Sequence, residues 1–465
     1  MTPLLNPILL TKILTNYLSD MNRLWNIDFA QLRKFQNKSL RSVVKYAYNV
    51  PLYNKVFKNN KIHPRDIKGI DDINKLPLIN KEDLRRNYPD NIVPKNFNRE
   101  NGFLLSTSGS TGKPVFVFND YFASIKSLIG FARELKSFGC YWHKTKAVLI
   151  MDILPGSVEH ATFTQSALPF LKKFVSLDNI KFYHVGEQTD VLLKELNEFQ
   201  PEFLGSDPNM LRKLAYLKLN GKADNVNPRV LSSGGAMLDQ YARKYIENIF
   251  EVNLYDTYAT TEGGPIGFEC MESREYHINS DYVFLEYLDK DNEPVDYGKT
   301  GRLVVTRLFG GGTPIVRYTG IEDYVIPVER KDCCGITSDM IKYIEGRSIE
   351  LIITPRGKMI APLAITAIPA AVMDKYKTYK IKQFQIIQHK IDDVEILVVI
   401  DEKLRKIGPP VTELINELKN RFQEEIGDDV KLTMTEVKEI DKGVRSRSNI
   451  EQVVVSKINK DKFLH

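Results

Sequence analysis

Between Leu104 and Phe118 the chain reads LLSTSGSTGKPVFVF. Five of the six residues from Ser106 to Thr111 carry a hydroxyl, and Gly109 and Gly112 punctuate the run. Hydroxyls at this density, glycines that let backbone N–H groups turn toward an anion, and a mobile cation at Lys113 make a cradle for phosphate. A Walker loop needs G-x-x-x-x-G-K-S/T opening into a helix. Here the glycines are too close, Pro114 stands where the magnesium-binding hydroxyl belongs, and PVFVF alternates like a strand. The reading is a loop between two strands, comprising Ser106, Thr107, Ser108, Gly109, Ser110, Thr111, Gly112 and Lys113, that closes over a triphosphate. An ordinary serine–glycine hairpin turn is the plainer alternative.

Such a loop needs a scaffold. The chain has 465 residues, 43% apolar and 27% charged, which fits a globular protein of about two or three domains. The 65 basic and 59 acidic residues are well mixed, and no basic stripe carries interleaved aromatics, so nucleic acid is not expected as a partner. No apolar run reaches the ~18 residues of a membrane span, and the N-terminus does not read as a signal peptide. Leu10, Ile13, Leu14, Tyr17, Leu18 and Met21 recur at helical spacing. That helix packs on the body or on a second copy, which leaves a homodimer open, or lies on a membrane surface. Four cysteines make no disulfide framework and point to a reducing cytoplasm.

The pattern along the chain predicts an α/β protein. Residues 1–95 read as helical and polar. KAVLIMDIL, PRVLSSGG and VNLYDTYA read as buried strands, with the helix LDQYARKYIENIF between the last two, so a parallel sheet with helical crossovers is expected. DYVFLEYLDKDNEPVD and GRLVVTRL alternate around a turn and predict antiparallel β structure over about 277–330. The tail predicts a small α+β unit with a helix over TELINELKNRFQEEIG, Thr412 as its N-cap and Gly427 as its stop. The boundary falls near 346–350, giving a large domain over 1–346 and a small one over 350–465.

Three further segments stand in register with TSGSTGKP: YDTYATTEGG (Tyr255–Gly264), TPIVRYTGIEDY (Thr313–Tyr324) and EGRSIELI (Glu345–Ile352). In this order and spacing they resemble the adenylate-forming enzymes, the acyl- and aryl-CoA ligases. The phenylacetate–CoA ligase branch with its capsule-biosynthesis-like members is the nearest in appearance, and the resemblance runs over nearly the whole chain. It implies the adenylate-forming fold, a large N-terminal domain with a small mobile C-terminal lid, and two half-reactions. A carboxylic acid attacks the α-phosphate of ATP, and CoA then takes the acyl group.

The resemblance implies roles residue by residue. Ser106 to Lys113 hold the β- and γ-phosphates. Thr261 bonds the α-phosphate and Glu262 binds Mg²⁺, a hard ion suited to oxygen. Tyr255, Asp256 and Tyr258 wall the adenine, with Gly234, Gly235 and Ala236 along it. An acid takes both ribose hydroxyls: the usual spacing gives Glu322, but Asp323 is favoured because it opens the strand DYVI, with Arg317 orienting it. Arg347 contacts the nucleotide, and Glu350 falls at the hinge. The family's closing lysine, which follows a glycine, is missing: Val444 follows Gly443, so Lys442 or Arg445 is the substitute, unless both are solvated charges. Cys270, His277, Asp332, Cys333 and Cys334 fall where relatives show a structural zinc site, although the two thiols of KDCCG are adjacent rather than spaced; separate buried thiols are the alternative. Met151 to Gln165 and Gly205 to Met210 are candidates for the acid pocket, with Phe122, Phe163 and Met237 as an apolar wall and His160 near the substrate. Transfer of AMP to a cofactor, or of the acyl group to an amine or carrier protein, stays open, as does a silent nucleotide-binding protein.

Overall fold

The computed structural model describes residues 7–107, 114–155, 157–165, 176–331, 334–347, 351–360, 362–440 and 453–458. Five helices open the chain: α1 (Pro7–Asp20), α2 (Arg23–Asn26), α3 (Phe29–Ala47), α4 (Pro51–Asn59) and α5 (Lys81–Asn87). α3 starts at a reciprocal cap, in which the Asp28 side chain accepts from the Gln31 amide and the Gln31 side chain accepts from the Asp28 amide. Two otherwise orphaned N–H groups are thereby satisfied. Strands β1 (Gly102–Ser106) and β2 (Phe116–Asp120) pair as an antiparallel hairpin with Ser106 opposite Phe116, so the serine–glycine run connects two strands and no helix follows it directly.

Asp120 caps α6 (Tyr121–Ser137), accepting from the Ala123 amide at 2.8 Å. α6 is pinned from beneath by a buried charge network. Arg133 donates to Asp281 at 2.8 Å and to the Asp20 carbonyl at 2.7 Å, and Lys126 pairs with Asp20. Then come β3 (Ala147–Met151), β4 (Ile180–His184), β5 (Phe203–Ser206), β6 (Val230–Ser233) and β7 (Leu254–Thr260). They pair in parallel in the order β4-β3-β5-β6-β7. β5 and β6 are buried throughout, the pattern of strands covered on both faces. The helices α7 (Thr189–Phe199), α8 (Pro208–Leu219) and α9 (Gln240–Phe250) supply the crossovers.

At β7 the sheet changes direction. β8 (Gly264–Glu269), β9 (Tyr276–Ile278), β10 (Val283–Leu288), β11 (Gly301–Arg307), β12 (Asp323–Val328) and β13 (Met340–Arg347) extend it antiparallel. The result is one eleven-stranded sheet, β10-β11-β12-β13-β9-β8-β7-β6-β5-β3-β4. Parallel and antiparallel halves thus fall where the sequence put them.

The remaining described residues form β14 (Ile352–Ile353), β15 (Met359–Ile360), α10 (Pro362–Tyr376), β16 (Ile381–Lys390), β17 (Asp393–Ile400), α11 (Val411–Ile426), β18 (Lys431–Glu436) and β19 (Val454–Ser456). Four of these strands make a separate sheet, β18-β17-β16-β19. α11 buries Leu414, Leu418 and Phe422 and stops at Gly427 as expected, but Thr412 is not its N-cap. Pro410 holds that position, its ring fixing φ at −58°, and Thr412 lies inside the first turn. This unit docks on α9: the Tyr241 hydroxyl donates to the Ile381 carbonyl at 2.6 Å, and Asn248 donates to the Tyr379 hydroxyl at 2.9 Å.

Candidate active site

The carboxyl ends of β3, β5, β6 and β7 open into a cavity of about 390 Å³. This is where an open parallel sheet offers a crevice for a ligand. Ser106 and Thr107 reach it from the end of β1, Gly234 and Gly235 from the turn after β6, Thr261 and Glu262 from the β7–β8 turn, and Gly320 and Ile321 from the loop before β12. Segments more than two hundred residues apart therefore meet on one cavity. At Gly234 a Cβ would stand 2.6 Å from the Thr257 hydroxyl, so the backbone approaches this closely only because the residue is glycine.

Glu262 is 4% exposed, and its carboxylate accepts from the Tyr318 hydroxyl at 3.0 Å. The Gly263 amide donates to the Thr260 hydroxyl at 2.9 Å, closing the turn that carries Glu262. A residue the sequence did not single out braces this turn. Arg307, fully buried at the end of β11, donates to the Glu262 carbonyl at 3.2 Å, to Asn119 of β2 at 2.8 Å and to the Thr313 carbonyl at 2.9 Å. One guanidinium fork thus ties the base of the β1–β2 hairpin to the Glu262 turn. Gly312 completes the brace. Its φ is +83°, a Cβ there would meet the Phe118 carbonyl oxygen at 2.1 Å, and its amide donates to the Tyr46 hydroxyl at 2.8 Å. Lys81 was likewise missed; it lines the cavity and pairs with Glu322 at 2.6 Å. A surface-looking lysine in a polar helix gave no signal for either role.

Glu322 and Asp323, one residue apart, diverge. Glu322 turns to Lys81, whereas Asp323, 5% exposed at the start of β12, accepts from the Tyr258 hydroxyl. Arg317 does not orient Asp323: it pairs with Glu286 at 2.7 Å and donates to the Leu76 carbonyl at 2.6 Å. The aromatic wall also needs correcting. Tyr255 stacks on Phe138 at 5.1 Å within the core, and Asp256 is buried, accepting from the Tyr276 hydroxyl at 2.6 Å. Neither they nor Tyr258 line the cavity; Thr257 and Ala259 do. The strand is buried on both faces, so aromatic character alone did not tell which side chains meet the ligand. Ala236 also lies outside the lining.

The far end of the cavity is built from the stretch after β3: Met151, Asp152, Ser157, Glu159, Thr162 and Phe163. Part of it, His160–Gln165, is a turn of π-helix, a form that often marks functional sites. Phe131 of α6 meets Phe163 edge to face at 5.5 Å. Gly205, Ser206 and Asp207 join them, but Phe122, Met210 and Met237 do not, and the His160 ring turns to the Ile153 carbonyl at 2.9 Å. Two carboxyls here are shifted upward. Burial, with the negative charge of Asp256 adding to it, pushes Glu134 to about 8. Burial, with Asp152 adding to it, pushes Glu159 to about 6.

Away from the cavity, Cys270, His277 and Cys334 converge, their ligand atoms all within 4.8 Å of one another. The two sulfurs are 3.0 Å apart, and the His277 Nδ1 meets the Ser338 hydroxyl at 2.9 Å. Burial raises the Cys270 thiol, but hydrogen bonds with His277, Cys334 and Ser273 outweigh it and bring it down to about 5. Two sulfurs and an imidazole, one thiol already poised to ionise, fit the donor set of zinc. Ser108 to Lys113, Asp332, Cys333, Glu350, Lys442 and Arg445 lie outside the described residues, as does the side chain of Arg347, whose backbone pairs with Asp323.

The fold is similar to that of solved CoA ligases. A 2-hydroxyisobutyryl-CoA ligase in its postadenylation state superposes with a TM-score of 0.74 at 19% identity, over 94% of this chain and 91% of that one. The same ligase in its thioesterification state gives 0.60 at 18% identity, over 93% and 91%. By sequence, the chain is similar to the phenylacetate–coenzyme A ligase of Thermus thermophilus, with 26% identity over 431 residues, 87% of this chain and 91% of that protein. It is similar also to Protein CapK of Staphylococcus aureus, with 27% identity over 420 residues, 88% of this chain and 86% of that one. The resemblance read from the motifs is therefore borne out. No family model matches the chain. No helix among the described residues is long and apolar enough to cross a membrane.

Proposed function

We propose that this protein is an AMP-forming acid–thiol ligase. A carboxylic acid attacks the α-phosphate of ATP to give an acyl-adenylate and pyrophosphate, and the thiol of CoA then displaces AMP to give the thioester. The observation that carries this reading is the meeting of Ser106–Thr107, Gly234–Gly235, Thr261–Glu262 and Gly320–Ile321 around one cavity. Similarity to phenylacetate–coenzyme A ligases over most of the chain supports it.

Catalysis of this kind rests on positioning and on neutralising charge. The serine–glycine loop would hold the outer phosphates and Thr261 would donate to the α-phosphate. Asp323, at the start of β12, would accept from the ribose. Glu262 offers a buried carboxylate oxygen and would hold Mg²⁺, which when bound offsets the charge of the phosphates. Cys270, His277 and Cys334 would hold Zn²⁺ in a structural role, since none of them lines the cavity. ATP–pyrophosphate exchange over a panel of acids, with and without CoA, tests the proposal. Exchange plus thioester product is expected. Glu262→Gln should abolish exchange with the fold intact by circular dichroism, and undiminished exchange would remove Glu262 from the reaction.

A further inference from the structure

The acid end of the cavity holds carboxyls where a site for a plain aryl or alkyl acid needs none. Glu134 projects from α6 between Phe131 and the pinned Arg133, and Glu159 stands just before the π-helical turn; both line the cavity. Neither has a cation to answer it among the described residues. Arg133 is spent on Asp281 and Asn279. Lys126, one α6 basic residue along, is spent on Asp20, and Lys136 turns to Asn22. The Thr257 hydroxyl hydrogen-bonds with Glu134, which offsets part of the burial, and also meets the Ser233 carbonyl at 2.9 Å, but it brings no charge. Around Glu159 the charged neighbour is another acid, Asp152, whose contact with His184 is a loose 3.8 Å. Asp207, also on the wall, has its carboxylate satisfied as the cap of α8, accepting from the Asn209 and Met210 amides. Among the described residues of the wall the one cation is Lys81, which is paired with Glu322, so Glu134 and Glu159 line the cavity with no cation against them there.

We propose that the acid activated here carries an ammonium group, received by Glu134 or by Glu159, with Phe131 and Phe163 packing the apolar part of the molecule. The inference rests on the ligase reading for the identity of the cavity as the acid's site. At neutral pH burial keeps the proton on an empty Glu134, and a bound ammonium ion supplies the charge that lets it ionise. A neutral acid of the same shape would leave the receiving carboxyl without a counter-charge, the arrangement by which a site rejects an analogue lacking one group.

The test measures binding by calorimetry and pyrophosphate exchange side by side. It uses matched pairs: phenylalanine against hydrocinnamate, para-(aminomethyl)benzoate against para-toluate, and ε-aminocaproate against caproate. In at least one pair the amine should bind tighter by about 30-fold or more. Glu134→Gln or Glu159→Gln should shrink that ratio about tenfold with no loss of Tm at neutral pH. Binding of the amine at pH 7 should release protons, read from buffers of different ionisation enthalpy, and Glu134→Gln should cut that release. Neutral members binding as tightly as the amines in every pair, or a ratio untouched by both substitutions, would overturn the inference. Exchange with neutral acids alone would overturn it and leave the ligase reading standing. Selective binding of an amine with no exchange on any acid would uphold it and sink the ligase reading instead.

Discussion

Single residues divide by how local their evidence is. Thr261 with Glu262, and Gly234 with Gly235, were legible because each pair acts within one turn and the strand before it reads clearly. Lys81 and Arg307 were not, because each gains its meaning from partners far along the chain: Glu322 for the lysine, and Asn119, Glu262 and Thr313 for the arginine. Glu134 was hidden for the same reason; on its helix it is one more charge between apolar residues. Its proton makes a prediction independent of any ligand. In the unfolded chain its carboxyl titrates near 4.5, and in the folded protein near 8. Between those values the folded form holds a proton the unfolded form has released, so this group's contribution to stability falls as pH rises through that window. Above about pH 8 the loss is complete. Glu134→Gln removes the titration. Thermal unfolding from pH 5 to pH 9 should show the variant gaining on the wild type as pH climbs; a pH-independent difference would contradict the assigned shift.

At the scale of elements, the β1–β2 hairpin matters most, because it carries the serine–glycine run. It pairs with nothing else in the sheet and is held by Arg307 and by the loop through Gly312. Arg307→Met should therefore loosen the hairpin against the Glu262 turn. Exchange should drop about tenfold or more, with kcat affected before the KM of the acid. Arg307→Lys should rescue little, since a compact ammonium does not reproduce the planar fork that reaches acceptors on three separate segments. Equal effects of Met and of a conservative change elsewhere in β11 would reduce Arg307 to packing. The strand turn holding Cys270 and the segment holding Cys334 form a second linkage. If zinc joins them, the purified protein should contain about one zinc per chain, and Cys270→Ser should lose it along with several degrees of Tm. Metal-free protein with unchanged Tm in the variant would leave two neighbouring thiols and no ion. These elements were foreseeable from alternation and turn residues. Which strand faces met the ligand was not, because in a sheet covered on both sides the period carries no inside or outside; Tyr255 was misassigned for that reason.

For the whole molecule, the α/β class and the change from parallel to antiparallel were readable, since each follows from a run of residues long enough to show its period. The docking of the small unit on α9 was not, being a contact between surfaces with no common pattern. No lysine follows Gly443 in the sequence, and Lys442 and Arg445 are the candidates to replace it. If Lys442 or Arg445 takes its place, alanine at the one that reaches the α-phosphate should lower exchange about a hundredfold and leave ATP affinity nearly unchanged. Wild-type exchange in both variants, and in the double variant, would mean that the large domain activates the acid unaided. The cavity described above draws on Lys81 and on Ile321 alike. A growing chain on the ribosome therefore completes its first phosphate-handling segment roughly two hundred residues before Gly320 and Ile321 exist to finish the cavity. Nucleotide cannot guide the early stages of folding; it can only reward chains that have finished their large sheet, which makes ligand-induced protection from proteases a gauge of completed synthesis.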